Sequence, residues 1–153
     1  MTQAAIVRTV DVDVEPHLAF EIFTHEIGEW WHGADYSWQN PTRAVGMIIE
    51  PFAGGRWLEV WDATTGEGTT WGHVIAWQPG RRLVVTYEVP DCPAEPPTQL
   101  EITFEPIDDR TRVTLTHSGL DRLAPAARAR LGKHAWTPLV TWYRQHTERR
   151  GHA

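Results

Sequence analysis

The stretch WGHVIAWQPGRRLVVTYEV, residues 71–89, decides the fold of this chain. Two runs rich in β-branched and aromatic residues flank Gln78-Pro79-Gly80-Arg81. That break suits an antiparallel return, because a parallel partner would need a crossover of about a dozen residues. In the second run Leu83, Val85, Tyr87 and Val89 fall on one face, the period of a strand with one apolar side. The same signature recurs outward, over residues 45–52, 56–62, 98–106 and 111–118, and the first run itself covers 69–77. Breaks such as Ala53-Gly54-Gly55, Thr65-Gly66 and Ile107-Asp108-Asp109 are again short. Six antiparallel neighbours are expected from this block.

Residues 6–14, IVRTVDVDV, add a seventh strand with Val10, Val12 and Val14 on one side. Pro16 suits a first helical turn, where its missing N–H has no helical partner, and Ala19, Phe20, Phe23 and Ile27 recur at helical spacing. HEIGEWWHG continues as a second short helix after an interruption at Gly28, and Asn40-Pro41 closes a loop. Between residues 123 and 148 the period becomes helical, with Leu131, Ala135, Leu139, Trp142 and His146 in one stripe that Trp136, Val140 and Tyr143 broaden. Pro138 predicts a kink or break near His134, unless the main helix starts later. The expected fold is α+β: a seven-stranded curved antiparallel sheet around a long C-terminal helix, with two short helices after the first strand. One domain spans residues 1–153, and PDCPAEPP, residues 90–97, is too short to be a linker.

The net charge of −6 and scattered arginines argue against a nucleic-acid surface, which needs clustered cations. The single cysteine, Cys92, excludes an internal disulfide, and MTQAAIVRTV lacks the charged and apolar regions of a signal peptide. No window holds the roughly 18 apolar residues that span a bilayer. A cytoplasmic protein is expected, monomeric or weakly dimeric, with no membrane insertion. His25, His32, His73 and His117 fall in no metal-ligand spacing, and no P-loop, GxSxG or post-strand GxGxxG occurs. No metal and no cofactor are expected, and no catalytic residue is identified.

EWW at residues 29–31, GGRW at 54–57, the WGHV…PGRRLVVTY run, TRVTLTHSG at 111–119 and a tryptophan in the last helix, taken in order, resemble the activator-of-heat-shock-ATPase-homologue branch of the START-like, or helix-grip, superfamily. The likeness covers nearly the whole chain. The Gly-Trp usual in the last helix of that branch is Ala135-Trp136 here. AF…F, EWW and GGRW are also similar to motifs of enediyne self-resistance proteins. The resemblance implies a space between sheet and terminal helix that holds an apolar guest, with antibiotic self-resistance or secondary metabolism as a setting. Because the architecture also hosts enzymes and chaperone cofactors, a site must come from residues.

Nine tryptophans in 153 residues either make a rigid core or line a cavity. Trp57, Glu59 and Trp61 share one side of their strand; Glu59 is then a carboxylate between two indoles, or it points to solvent and pairs with an arginine. Tyr87 and His117 are polar tips on apolar faces, able to orient a guest or to bond the backbone as core residues do. His73 falls on the same side as Trp71 and Ile75, facing either way. Trp30, Trp31 and Trp38 cap the open end or pack there. The candidate ligand-binding set is Trp38, Trp57, Glu59, Trp61, Tyr87, Phe104, His117, Leu139 and Trp142, around a cavity of some hundreds of Å³. The expected partner is an apolar, aromatic or polycyclic small molecule. The alternatives are a cyclase or hydratase using His117, Tyr87 and Glu59, and a regulator of a chaperone ATPase.

Overall fold

The computed structural model describes residues 5–31, 40, 42–89, 93–131 and 136–151. Strand β1 (Ile6–Val12) leads into α1 (Pro16–His25) and α2 (Ile27–Trp30). Strands β2 (Gly46–Ile49), β3 (Arg56–Val60), β4 (Gly68–Gln78), β5 (Arg82–Tyr87), β6 (Thr98–Ile107) and β7 (Arg110–Ser118) follow. Then come a 3₁₀ turn at Leu120–Arg122, α3 (Pro125–Leu131) and α4 (Thr137–Gly151). All seven strands join one sheet in the order β1-β7-β6-β5-β4-β3-β2, every neighbouring pair antiparallel. The first strand closes on the last because Val10 pairs with Val113 and Ile6 with His117.

Helix α1 starts where proline permits it: Pro16 follows Glu15, whose carboxylate accepts from the amides of His17 (3.0 Å) and Leu18 (2.7 Å). Its inner face, Ala19, Phe20, Ile22 and Phe23, is buried against the sheet. The break between the two short helices falls at Glu26, and Gly28 lies inside α2 rather than interrupting it. A Cβ at Gly28 would stand 3.0 Å from the Met47 carbonyl oxygen, so the glycine is there to let α2 lie close on β2.

A second correction concerns β4. Trp57 pairs with Gly72 and Leu58 with Thr70, which leaves Trp71 as the extra residue of a bulge. The bulge turns Trp71 inward and sends His73 and Ile75 to the outer face, so the three do not share a side. Gly72 makes it possible: a Cβ there would meet the Thr86 carbonyl oxygen at 1.8 Å. His73 Nδ1 lies 2.8 Å from Glu88 on that outer surface.

The helical C-terminal region is two helices. Leu131 ends α3 while Leu139, Trp142 and His146 belong to α4, and Pro138 is the second residue of α4, where it breaks no helical bond. The expected kink near His134 lies outside the described residues. The far half of α4 is pinned to α1: Tyr143 donates to the Ala19 carbonyl at 2.7 Å, and His146 and Arg150 each reach the Glu26 carboxylate at 2.9 Å. Burial opposes the charge on Glu26, but those bonds prevail and hold its carboxyl below the usual range. The near half, with Leu139, lies over the concave face of the sheet, and the site lies there.

Candidate functional site

Alternation along β3 brings Trp57 and Glu59 inward, and both are buried. Glu59 is 0% exposed. Its Oε1 accepts from Trp71 Nε1 at 3.0 Å, and its Oε2 accepts from Trp61 Nε1 at 2.7 Å and from the Asn40 amide at 2.9 Å. The alternative of a solvent-facing or arginine-paired Glu59 is thereby overturned. The indoles beside it are those of Trp61 and Trp71. Trp61 is partly exposed, its ring 4.9 Å below the Arg43 guanidinium, and so covers Glu59 from outside.

Around this carboxylate the rings form a continuous line, edge to face or tilted. Trp31 stands 5.4 Å from Trp71 and 6.1 Å from Trp57; Trp57 is 5.1 Å from Trp71 and 6.3 Å from Tyr87. Tyr87 continues to His117 at 5.1 Å and to Trp136 at 5.3 Å. Trp142, half-buried on α4, approaches Trp31 at 6.4 Å. Such T-shaped and tilted packings set the positive edge of one ring against the negative face of the next. Phe104 is not part of this line. It packs with Phe20 and Phe23 of α1, at 5.3 and 6.0 Å.

His117 is fully buried and fully engaged. Trp136 Nε1 donates to its Nδ1 at 3.1 Å, which places the imidazole proton on Nε2, where it donates to Thr98 Oγ1 at 2.9 Å. Burial pushes the imidazole down to about 4, so it is neutral at physiological pH. Trp136 makes that bond from a left-handed backbone, φ 68°, a conformation that costs a non-glycine residue about 1–2 kcal/mol. Tyr87 also lies on the inner face, as its alternation required.

Between α4 and the sheet the rings leave an apolar space of about 20 Å³. Trp57, Trp31, Leu83, Leu100, Leu115 and Leu139 are among its walls. A site for a drug-sized guest has some hundreds of Å³, so among the described residues the space at this place is far smaller than the expected cavity. The physical reason is the ring packing itself: the edge-to-face line brings Trp31, Trp57 and Trp71 together across the concave face. Trp57 and Leu139 of the expected set border the space; Tyr87, His117, Phe104 and Trp142 stand around or beyond it. Trp38 lies outside the described residues. Trp31, expected to cap the open end or to pack there, belongs to the arrangement, as do Trp71 and Trp136, which the candidate set lacks. The inward turn of Trp71 depends on a bulge, although Gly72 beside it marks the position.

The indole donors of Trp30, Trp71 and Trp136 all meet acceptors. Trp30 Nε1 donates to the Ile22 carbonyl at 3.0 Å, and Trp71 and Trp136 donate as above. Among the described residues, Trp57 Nε1 is the buried side-chain polar atom with no partner. As to metals, Glu26, Glu29 and His146 bring ligand atoms within 4.8 Å of one another. The Arg150 guanidinium already neutralises Glu26, which disfavours a second cation.

A seven-stranded antiparallel sheet curled around a terminal helix, with an aromatic-lined interior, defines a helix-grip protein. The family model for Activator of Hsp90 ATPase homolog 1-like protein matches residues 13–140, and the chain belongs to that family. No curated protein matches the sequence. Several solved structures share the fold. The self-sacrificing resistance protein CalC from Micromonospora echinospora is 20% identical over 96% of each chain, with a TM-score of 0.70. Protein MLL2253 from Mesorhizobium loti is 19% identical, covering 94% of this chain and 97% of its own, with a TM-score of 0.64. The anthrahydroquino-γ-pyrone synthase Txn09, solved as a complex, is 30% identical over 82% of this chain and 83% of its own, with a TM-score of 0.55. No helix among the described residues is long and apolar enough to cross a membrane.

Proposed function

We propose that the chain binds and carries, or sequesters, an apolar aromatic or polycyclic small molecule between α4 and the sheet. The observation that carries this reading is the line of rings from Trp31 through Trp57 and Trp71 to Tyr87, set around an apolar space on the concave face. The 20 Å³ space is the closed form of the site. A guest widens it by displacing Leu139 of α4 and Trp31 at the end of α2, since the sheet wall is tied by strand pairing on both sides and the two helices are not. The far half of α4 stays anchored through Tyr143 and Glu26 while the near half moves. Trp61, Phe104 and Trp142 belong to the proposal as outer supports, and Trp38 stays in the proposed ligand-binding set on its place in the sequence alone. A role in antibiotic biosynthesis or self-resistance is favoured by the likeness to CalC and Txn09.

The test is a titration with 9,10-anthraquinone-2-sulfonate, a soluble polycyclic ring, followed by tryptophan emission and by equilibrium dialysis. Saturable quenching with one equivalent retained is expected, reduced at least tenfold in Leu139→Trp, which fills the space. Quenching that never saturates, or is unchanged in that variant, overturns the reading.

One observation favours a second reading, an enzyme: Txn09, the 30% identical neighbour, is a synthase. In the closed form, however, both nitrogens of His117 and both oxygens of Glu59 are already bonded. General acid–base chemistry needs a group within hydrogen-bond reach of the reacting atom. Binding therefore ranks first. Mass-detected conversion of a bound polyketide that is lost in His117→Gln would reverse the order.

A further inference from the structure

The unpartnered donor of Trp57 says what kind of guest the site takes, if the site is the ligand site proposed above. Trp57 is 3% exposed, and its Nε1–H has no acceptor, whereas the buried indoles of Trp30 and Trp71 are matched to a carbonyl and a carboxylate and the half-buried Trp136 to an imidazole. A buried N–H without a partner is costly and rare, and its persistence calls for a reason. A water is a poor answer, because an ordered water needs about two to four polar partners and the space beside Trp57 is walled by aliphatic and aromatic carbon. The nearby polar groups cannot serve either: Glu59 already holds three donors and His117 offers no free lone pair.

We infer that Trp57 Nε1 is the specificity-determining donor of the site, and that the guest is a neutral aromatic ring system carrying a carbonyl-type acceptor oxygen. The ring body lies along Leu83, Leu100, Leu115 and Leu139, and its oxygen accepts from the indole. In the closed form the walls of the space are carbon and the Trp57 N–H is covered, so a guest reaches that donor as the space widens, and a plain hydrocarbon leaves it unmet. A cation finds no counter-charge bordering the space, because Glu59 is not among its walls and its oxygens already hold donors. Ketones and quinones fused to aromatic rings are the chemical class that fits both halves.

The experiment compares 9-fluorenone with fluorene, the same skeleton with and without the carbonyl, by equilibrium dialysis on the full chain and on Trp57→Phe. That variant keeps a ring against Trp71 and loses no protein hydrogen bond. Fluorenone is expected to bind at least tenfold more tightly than fluorene to the native chain, with the ratio falling to about twofold in the variant. In the native chain alone, the indole Nε1 proton of Trp57 should move downfield in a nitrogen–proton spectrum when fluorenone is added and not with fluorene. This readout does not depend on the variant folding. If both compounds bind equally to the native chain, or if the preference survives in Trp57→Phe, the inference is wrong while the ligand-site reading stands. If neither is retained, the ligand-site reading fails and the inference with it.

Discussion

Replacing Glu59 with glutamine tests the carboxylate at the centre of the rings. The change keeps the shape of the side chain and turns one acceptor into a donor. Among the described residues, three N–H groups converge on the two oxygens, from Trp71 on one and from Trp61 and Asn40 on the other. Whichever way the amide turns, its NH₂ faces at least one N–H. In the better orientation the carbonyl keeps Trp61 and Asn40, and the buried Trp71 indole is orphaned. An orphaned buried donor costs about 1–3 kcal/mol, and two surviving bonds drop from charge-assisted to neutral, roughly halving each. The lower desolvation cost of a neutral amide offsets part of this. The expected net loss is about 3 kcal/mol out of a total of about 5–15 for a domain. At a urea slope of about 2 kcal/mol per molar, the unfolding midpoint should fall by about 1.5 M. Equilibrium unfolding at neutral pH, followed by both tryptophan emission and far-ultraviolet circular dichroism, measures it. Glu101→Gln is the control: Glu101 pairs with Arg82 on the surface, both side chains partly exposed, where such pairs contribute at most about 1 kcal/mol. A Glu59→Gln midpoint within about 0.5 M of the native one would refute the account of Glu59 as a saturated buried acceptor.

The His117 imidazole gives a pH dependence with a definite sign. The unfolded chain takes up its proton near pH 6.5 and the folded chain near about 4. Between those values the unfolded state binds more protons, so stability falls as pH falls through that window, by about 3 kcal/mol at its lower end, and urea midpoints in His117→Gln should lack this part. Below about pH 4, protonation of Nδ1 removes the acceptor of Trp136, and a red shift of tryptophan emission should accompany it. Gly72→Ala drives a Cβ to 1.8 Å from the Thr86 carbonyl, backbone that cannot step aside; a loss of about 3 kcal/mol or an insoluble product is expected, read by thermal melting. Tyr143→Phe leaves the Ala19 carbonyl without its donor and should cost about 1–3 kcal/mol in chemical unfolding while leaving guest affinity within about twofold.

Period and punctuation carried most of the architecture. Strict alternation at Leu83-Val85-Tyr87, Leu100-Ile102-Phe104 and Val113-Leu115-His117 determined which face of each strand turns inward, because successive side chains in a strand point oppositely, although in β5 Val84 and Thr86 of the other face are buried as well. Short breaks determined antiparallel pairing, and Pro16 the start of the first helix, since both follow from backbone geometry within a few residues. Where the parity slipped, local reasoning slipped with it: the bulge at Trp71 arises from the close approach of Gly72 to Thr86, a contact across strands. The three donors on Glu59 come from residues 2, 12 and 19 positions away, and the Trp136 donor on His117 from 19. Only the folded chain brings them to one point. It likewise decided that the rings close the space to about 20 Å³, because packing volume is a property of the assembled faces and not of any one strand. The lone donor at Trp57 is the outcome of the same assembly: an indole is placed by its own strand, but whether it meets an acceptor depends on what every neighbouring element presents there.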